Sequence, residues 1–461
     1  MRIAMISDHA SPIGTLGTID GGGQNIYVAN LSQHLAAKGH EVDIFTRRDN
    51  SNLPRITYWK PKIRIINVPA GPERFVPKEE LLQYMSEFTS YVHDFFIDSA
   101  SSYDIVHANF WLSGLAAVWL KERLRVPFVV TFHALGKVRR MHQGEADGFP
   151  EERIDIEDRI IKEANQIIAE CPQDREDLVS LYGTPEESIS MVPCGFDPDE
   201  LEPRSRTEMR ARLQIPDDVF VVLHVGRMVP RKGVDNTIRG FAWMIKNINA
   251  NAVLIVVGGN SEIPDYELTP EIRRLIEIAE TEQIGDKIRF VGRRDRDEVG
   301  AYYFAADTFV TTPWYEPFGI TPLEAMACGC PVVGSGVGGI KYSVINGTTG
   351  FLVPPNDPMC LGNRLSLLYC DPDLRKEMSR NAIKRAYENF TWAGVSQGIL
   401  QVYNETLERS AIENWIPQIS ERYLQPAGGK SMSSATTRGA VSKGQFKPIH
   451  LNERKQNARG A

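Results

Sequence analysis

The sequence predicts an α/β protein of two units, each a doubly wound parallel sheet covered by helices, and three observations carry that prediction. Short apolar runs rich in β-branched residues alternate with helical stretches along most of the chain. The alternation is broken once, by the turn-forming segment VPCGFDPDELEP (192–203), and then starts again. Each series opens on a strand that runs into a glycine-containing turn and an amphipathic helix, so the two halves read as separate folds of one class facing a shared cleft.

In the first series the strand candidates are Ile3–Ile6, Val42–Thr46, Ile63–Val68, Ile105–His107, Val126–Phe132 and Gln166–Ala169. The second series holds Val219–Val225, Ala252–Val257, Ile288–Val291, Thr308–Thr311, Pro331–Gly334 and Gly350–Val353. The expected boundary falls near Gly195–Pro203, giving a first domain over 1–195 and a second over 204–385. Strong helical patterns at Asp373–Asn389 and Trp392–Leu407 follow the second sheet, and the helices of 386–425 are expected to pack back on the first domain. From 426 to 461 the chain carries seven Lys or Arg against the single acid Glu453, among Gly, Ser, Thr and Gln, which predicts a disordered basic tail. Such a tail is either a solvated end or a weak docking arm for an acidic partner.

Composition narrows the function class. The chain has 461 residues, 42% hydrophobic and 24% charged, which is enough to bury two sizeable cores. A formal net charge of −7 offers no broad attraction for nucleic acid or an anionic membrane, so small molecules are the expected partners. MRIAMISD enters a strand pattern at once, and no later run reaches the ~18 apolar residues of a membrane span, so a cytoplasmic protein is expected. The six cysteines are scattered and form no CxxC pair. Cys328 and Cys330 flank Gly329 before the apolar run PVVG, where small residues suit tight helix-to-strand packing better than metal ligation.

Four motifs carry chemistry. Asp20-Gly21-Gly22-Gly23-Gln24-Asn25 precedes a helix with the apolar stripe Tyr27, Leu31 and Leu35, whose positive end would face a diphosphate or a phosphorylated acceptor. A tight turn would use the same glycines. Gly226-Arg227-Met228-Val229-Pro230-Arg231-Lys232-Gly233 follows the first strand of the second series, at the edge where open α/β sheets bind ligands. Arg227 and Lys232 can converge there on a diphosphate, unless the loop is only a solvated basic one. The segment from Pro313 to Ala327 places Glu316 in a loop and Glu324 one to two turns into a helix, a geometry for two ends of one ligand and not for a two-carboxylate glycosidase. His133 ends an apolar strand in Thr131-Phe132-His133-Ala134, where an imidazole can donate a hydrogen bond to a reacting sugar; His107 ends another strand.

Over residues 1–410 these motifs, in this order, resemble retaining glycosyltransferases of family 4, which have the GT-B fold of two Rossmann-like domains. The Glu316-to-Glu324 block is the sharpest element. GGGQNIYVANLSQHLAAKGHEVDIFTR, HANFWLSG and TFHALGK most resemble the subgroup of D-inositol-3-phosphate N-acetylglucosaminyltransferase and sucrose-phosphate synthase. The resemblance implies that Glu316 contacts the donor sugar beside the backbone of Phe318 and Gly319, that Glu324 holds the ribose hydroxyls, and that Arg227 and Lys232 bind the diphosphate. It further implies that Gly22 and Gly23 line the phosphate side, that His133 supports the sugar near the reacting carbon, and that the backbone around Arg293 meets the nucleobase. On the acceptor side the candidates are Asn25, Lys78, Asn109 and Arg159. Where the inositol-phosphate pattern has Tyr and Thr, this chain has Phe110 and Ala134.

The implied reaction is front-face transfer of a hexosyl group from a nucleoside diphosphate sugar, with UDP the expected nucleotide, to a small sugar, cyclitol or sugar phosphate. A sucrose-phosphate-synthase-like transfer to fructose 6-phosphate is one alternative, and a catalytically silent nucleotide-sugar sensor is another. A sugar-nucleotide epimerase would need a further pair of carboxylates in the first-domain loops, which the sequence does not offer. The nucleotide sugar is a co-substrate, and no cofactor or metal is required, although Mg²⁺ held loosely on the nucleotide is compatible. The triplets at Asp197/Asp199, Asp295/Asp297 and Asp371/Asp373 read as turns and helix starts.

Overall fold

The computed structural model of the chain describes residues 1–14, 22–99 and 102–423, and side chains at all of these but 145 and 413–423. Asp20, Gly21 and the basic segment 426–461 lie outside the described residues. Residues 1–413 form one compact unit.

The first sheet comprises β1 (Arg2–Ile6), β2 (Glu41–Arg47), β3 (Ile56–Lys60), β4 (Ile63–Val68), β5 (Ile105–Asn109), β6 (Phe128–Thr131), β7 (Gln166–Ala169) and β8 (Ile189–Met191). Its eight strands run in the order β3-β4-β2-β1-β5-β6-β7-β8, parallel throughout except for β3 against β4. The second sheet comprises β9 (Phe220–Val225), β10 (Ala252–Val257), β11 (Ile288–Gly292), β12 (Thr308–Thr311), β13 (Val332–Ser335) and β14 (Gly350–Val353). Its six strands are all parallel, in the order β11-β10-β9-β12-β13-β14. Helices cover both faces of each sheet, which is why Ile3, Ala4, Met5 and Ile6 are all fully buried and the strand reads as an unbroken apolar run.

Strand order reverses between β1 and β5 in the first sheet and between β9 and β12 in the second. A reversal opens a crevice at the carboxyl ends of the flanking strands, and ligands of doubly wound sheets bind there. The loops after β1, β5, β9 and β12 are therefore the places to look for a site.

Two strands were absent from the sequence reading. β3, the edge hairpin partner of β4, is half exposed and carries Tyr58 and Lys60 outward, so it lacks the buried apolar run that marks the others. β8 has three residues. The expected Val126–Phe132 strand shortens to Phe128–Thr131, since Pro127 has no N–H for the ladder and contributes only its carbonyl, which accepts from Val106 N–H at 3.0 Å. The last helix extends well beyond Leu407, over Trp392–Tyr423. It docks on the first sheet's domain: Tyr403 Oη lies 2.7 Å from His107 Nδ1, and the Trp392 and Tyr27 rings meet edge-on at 5.5 Å. No helix among the described residues is long and apolar enough to cross a membrane.

Candidate active site

The two strand-order reversals face each other across a crevice of about 330 Å³. On one wall stands the start of the Gly23–Ala37 helix. Its first turn holds no acid, and Gly22 and Gly23 line the crevice. On the other wall, the helix Ile320–Ala327 begins after Gly319, again with no acid in its first turn, and Phe318, Gly319 and Ile320 line the crevice. Two unneutralised helix amino-termini thus open on one space, which favours an anion.

Arg227 and Lys232 come from the loop after β9 and line the same crevice. A Cβ at Gly22 would lie 4.0 Å from the Arg227 guanidinium carbon, and one at Gly23 would lie 3.8 Å from Ile320 Cδ1. The glycines therefore let the two walls come close. Lys232 Nζ is paired with Glu316 Oε2. Burial pushes the Lys232 ammonium down to about 8 against the pull of Glu316, with Arg231 and Arg227 pushing the same way as burial. Burial would raise Glu316, but Lys232, Arg231 and Arg227 hold it below the usual carboxylate range. The result is a charged cluster poised for a ligand that supplies negative charge.

Glu316 is fixed by its backbone neighbours. A Cβ at Gly338 would run into the Glu316 carbonyl, and one at Gly339 into that of Phe318, so the turn after β13 packs directly under the Glu316 loop. Glu324 lies a little over one turn into its helix, nearly buried. Its Oε2 accepts from Tyr303 Oη at 2.9 Å, and its Oε1 lies 3.1 Å from Arg296 Nη2. Arg293 lines the same end of the crevice, its N–H donating to the Ser261 carbonyl at 2.7 Å.

His133 reaches the crevice from the end of β6 with a left-handed backbone, φ 57°. Its Nδ1 lies 3.0 Å from Glu170 Oε1 and its Nε2 lies 3.0 Å from Asn109 Oδ1. Both ring nitrogens thus lie within hydrogen-bond distance of protein groups, while the ring still lines the crevice as expected. Asn109 is fully buried behind the ring. Asn25 lines the crevice, but its Oδ1 accepts from Gly22 N–H at 2.9 Å and its Nδ2 donates to the Ser11 carbonyl at 2.9 Å, so it shapes the glycine turn. Lys78 lines the crevice on the first-sheet side, together with Phe110, Ala134 and Arg139.

Arg159 does not reach it. Its guanidinium pairs with Glu122 at 2.6 Å on the outer surface of its helix, where side-chain exposure is 44%. The Arg159 expectation is thereby corrected: on that helix Arg153 faces inward and Arg159 outward. The aspartate triplets are local features. Asp371 Oδ1 caps its helix by accepting from Leu374 N–H at 2.9 Å, and Asp197 Oδ1 accepts from Asp199 N–H at 2.9 Å.

Comparison with known proteins decides the family. Residues 21–200 match the family model described as Glycosyltransferase Family 4, and residues 205–385 match Glycosyl transferases group 1. The D-inositol 3-phosphate glycosyltransferase of Actinosynnema mirum is 33% identical over 415 residues, covering 88% of this chain and 97% of that protein. The chain belongs to glycosyltransferase family 4. The enzyme of the same name from Acidothermus cellulolyticus is 34% identical over 411 residues, 88% of this chain and 90% of that one. Sucrose-phosphate synthase from Thermosynechococcus elongatus superposes with a TM-score of 0.81 at 32% identity, over 88% of this chain and 99% of that one. Anabaena HepE in complex with UDP and glucose, at 19% identity, a TM-score of 0.67 and coverage of 88% of this chain and 100% of that one, shares the fold.

The fold is therefore GT-B, and the protein is a glycosyltransferase. Several residues at the family-4 crevice escaped the sequence reading. Arg296 bridges Glu324 and Glu200, Tyr303 donates to Glu324, and Arg139 pairs with Asp147 at 2.6 Å beside Tyr315. Glu170 holds His133. Arg296 stands between Asp295 and Asp297, a pattern that reads as a helix start, and the others stand in no glycine-rich turn. Only a position just past a strand's carboxyl end, which Glu170 shares with His133, was available as a signal.

Proposed function

We propose that this enzyme transfers a hexosyl group, with retention, from a UDP sugar to a small phosphorylated sugar or cyclitol. The observation that carries the reading is the facing of Arg227 and Lys232 on one wall by the Gly22–Gly23 helix start on the other, with Glu316 paired to Lys232 between them. Arg227 and Lys232 take the donor diphosphate, and Glu316, with the backbone of Phe318 and Gly319, takes the sugar hydroxyls. Glu324 takes the ribose hydroxyls, already oriented by Arg296 and Tyr303, and the backbone near Arg293 meets the base. Lys78 and Arg139 supply positive charge on the first-sheet side for an acceptor phosphate, with Phe110 and Ala134 giving that subsite an apolar floor. Residues 1–195 then form the acceptor domain, 204–385 the donor domain, and 386–425 the strap returning to the first.

The acceptor hydroxyl approaches C1 of the sugar on the face the diphosphate leaves. The C1–O bond to the β-phosphate breaks, the new C1–O bond forms, and a leaving phosphate oxygen takes the hydroxyl proton. Fixed positive charge from Arg227, Lys232 and the helix ends stabilises the leaving group, and the narrow crevice aligns both substrates and excludes water. With that charge supplied by side chains, transfer proceeds without a resident metal.

The test is turnover with UDP-, GDP- and ADP-sugars against D-inositol 3-phosphate, fructose 6-phosphate and their unphosphorylated forms. Transfer to a phosphorylated acceptor, undiminished by EDTA, is expected, with Lys232→Ala reducing it by about 100-fold or more. Donor hydrolysis with no transfer to any acceptor, or equal rates with unphosphorylated forms, would refute the assignment.

A further inference from the structure

Glu200 belongs to the turn-rich connection 192–203 between the two sheets, yet it lines the crevice beside Arg296, Tyr303 and Glu324. Three contacts fasten this connection to the helix Arg296–Ala305. Arg296 Nε donates to Glu200 Oε2, and Arg204 Nη1 donates to the Asp297 carbonyl at 3.5 Å. Leu201, nearly buried, lies against Gly300, where a Cβ would stand 3.8 Å from Leu201 Cδ2. The same helix holds Glu324 with two groups that stand seven positions apart, on one face: Tyr303 Oη donates to Oε2 at 2.9 Å, and Arg296 Nη2 forms an ion pair with Oε1 at 3.1 Å. The linker, the helix and Glu324 are thus joined in one chain of contacts, and Arg296 is the link between two carboxylates.

A carboxylate offers about four acceptor sites on its two oxygens. On Glu324, Tyr303 fills one at Oε2 and the Arg296 ion pair stands at Oε1, so each oxygen keeps a site for one of two vicinal hydroxyls. That opening depends on how Arg296 is shared. The Nε and Nη2 N–H groups lie on one edge of the planar guanidinium, and such an edge closes on a single carboxylate as a bidentate pair when nothing divides it. Here Glu200 takes Nε, and only Nη2 is left for Glu324. We infer that Glu200 is a positioning residue for ribose recognition: by dividing the Arg296 edge it keeps both oxygens of Glu324 open to the ribose hydroxyls, and it sets that geometry from the connection between the domains. Without Glu200 the guanidinium turns both N–H groups onto Glu324 and takes up acceptor sites that the ribose needs.

The inference rests on Glu324 as the contact of the ribose hydroxyls, and its test separates the two. Calorimetry compares UDP with 2′,3′-dideoxy-UDP, which keeps the base and the diphosphate and lacks only those hydroxyls. Wild-type protein is expected to prefer UDP by about tenfold or more, as for hydrogen bonds to a charged group. In Glu200→Ala the preference falls to within about threefold, through weaker binding of UDP alone, while the affinity for the dideoxy nucleotide is unchanged. Glu200→Gln, which keeps the length of the side chain and a neutral oxygen for Nε, shifts the preference in the same direction and by less. Adding Glu200→Ala to Arg296→Ala changes the preference no further, as for one residue acting through another. A wild-type preference that survives in both Glu200 variants would overturn the proposal and leave the ribose contact standing. Equal weakening of both nucleotides would show that Glu200 holds the fold or another part of the ligand, and would overturn it as well. Equal affinities in the wild type would take the ribose away from Glu324, and the inference with it.

Discussion

If Lys232 takes the donor diphosphate, as proposed, its free-state and its bound-state environments pull its proton in opposite directions. In the free enzyme burial lowers it to about 8, and a diphosphate would restore the charged form. Donor binding therefore takes up a proton once the pH exceeds about 8. Below that value affinity is level; above it, the dissociation constant for UDP rises by up to about tenfold per pH unit. Calorimetric titration from pH 7 to 10 checks this, and a flat profile would mean that Lys232 does not meet the phosphates. Glu316→Gln removes the negative charge that holds the Lys232 proton, so the rise in that variant begins below pH 8. These two residues were legible in the sequence because fixed charge beside glycine and proline after a strand is a local pattern. Arg296 and Tyr303 were not, since they meet Glu324 only through the packing of a separate helix, Arg296–Ala305, against the Ile320–Ala327 helix.

At the scale of elements, the Glu316 loop is held by the turn after β13, and that dependence is testable. Gly338 has φ 45° and no room for a Cβ against the Glu316 carbonyl. Gly338→Ala is expected to cost about 1–3 kcal/mol of stability and to displace Glu316. The donor KM should then rise even in folded, soluble protein; an unchanged KM would show that the loop is held by other contacts. All twelve strand candidates of the sequence end within two residues of an observed strand at both ends, because strands buried on both faces leave unbroken β-branched runs. β3 left a weaker trace, ITYWK, with Tyr58 78% exposed on a sheet edge. The path of the last helix was also written only in part: the Trp392–Leu407 pattern is local, but its contacts with His107 and Tyr27 join residues hundreds of positions apart.

In the whole molecule the two sheets are joined by crossings that hold one another. Phe196 N–H donates to the Phe390 carbonyl at 2.8 Å, and Trp392 N–H donates to the Phe196 carbonyl at 3.1 Å. A Cβ on Gly195 would press on Phe390 O and Trp392 N at 2.9 Å each, so the crossings pack as closely as backbone allows. Further contacts join the two sides beside the crevice: the His142 and Tyr315 rings stack at 5.3 Å, and Lys341 Nζ donates to Gln173 at 2.8 Å. A ligand between these walls binds the folded state alone, so UDP at 100 times its dissociation constant adds about 2.7 kcal/mol, or roughly 3 °C in melting temperature for a chain of this size. If both walls hold the diphosphate, the shift shrinks in variants of either one. Lys232→Ala removes a charge from the second-sheet wall, and Gly22→Val crowds the Arg227 guanidinium from the first. Equal loss of the UDP shift in both variants is the expected result of thermal melts. A full shift retained in Gly22→Val would place the nucleotide on the second-sheet wall alone and leave the glycine turn to the acceptor.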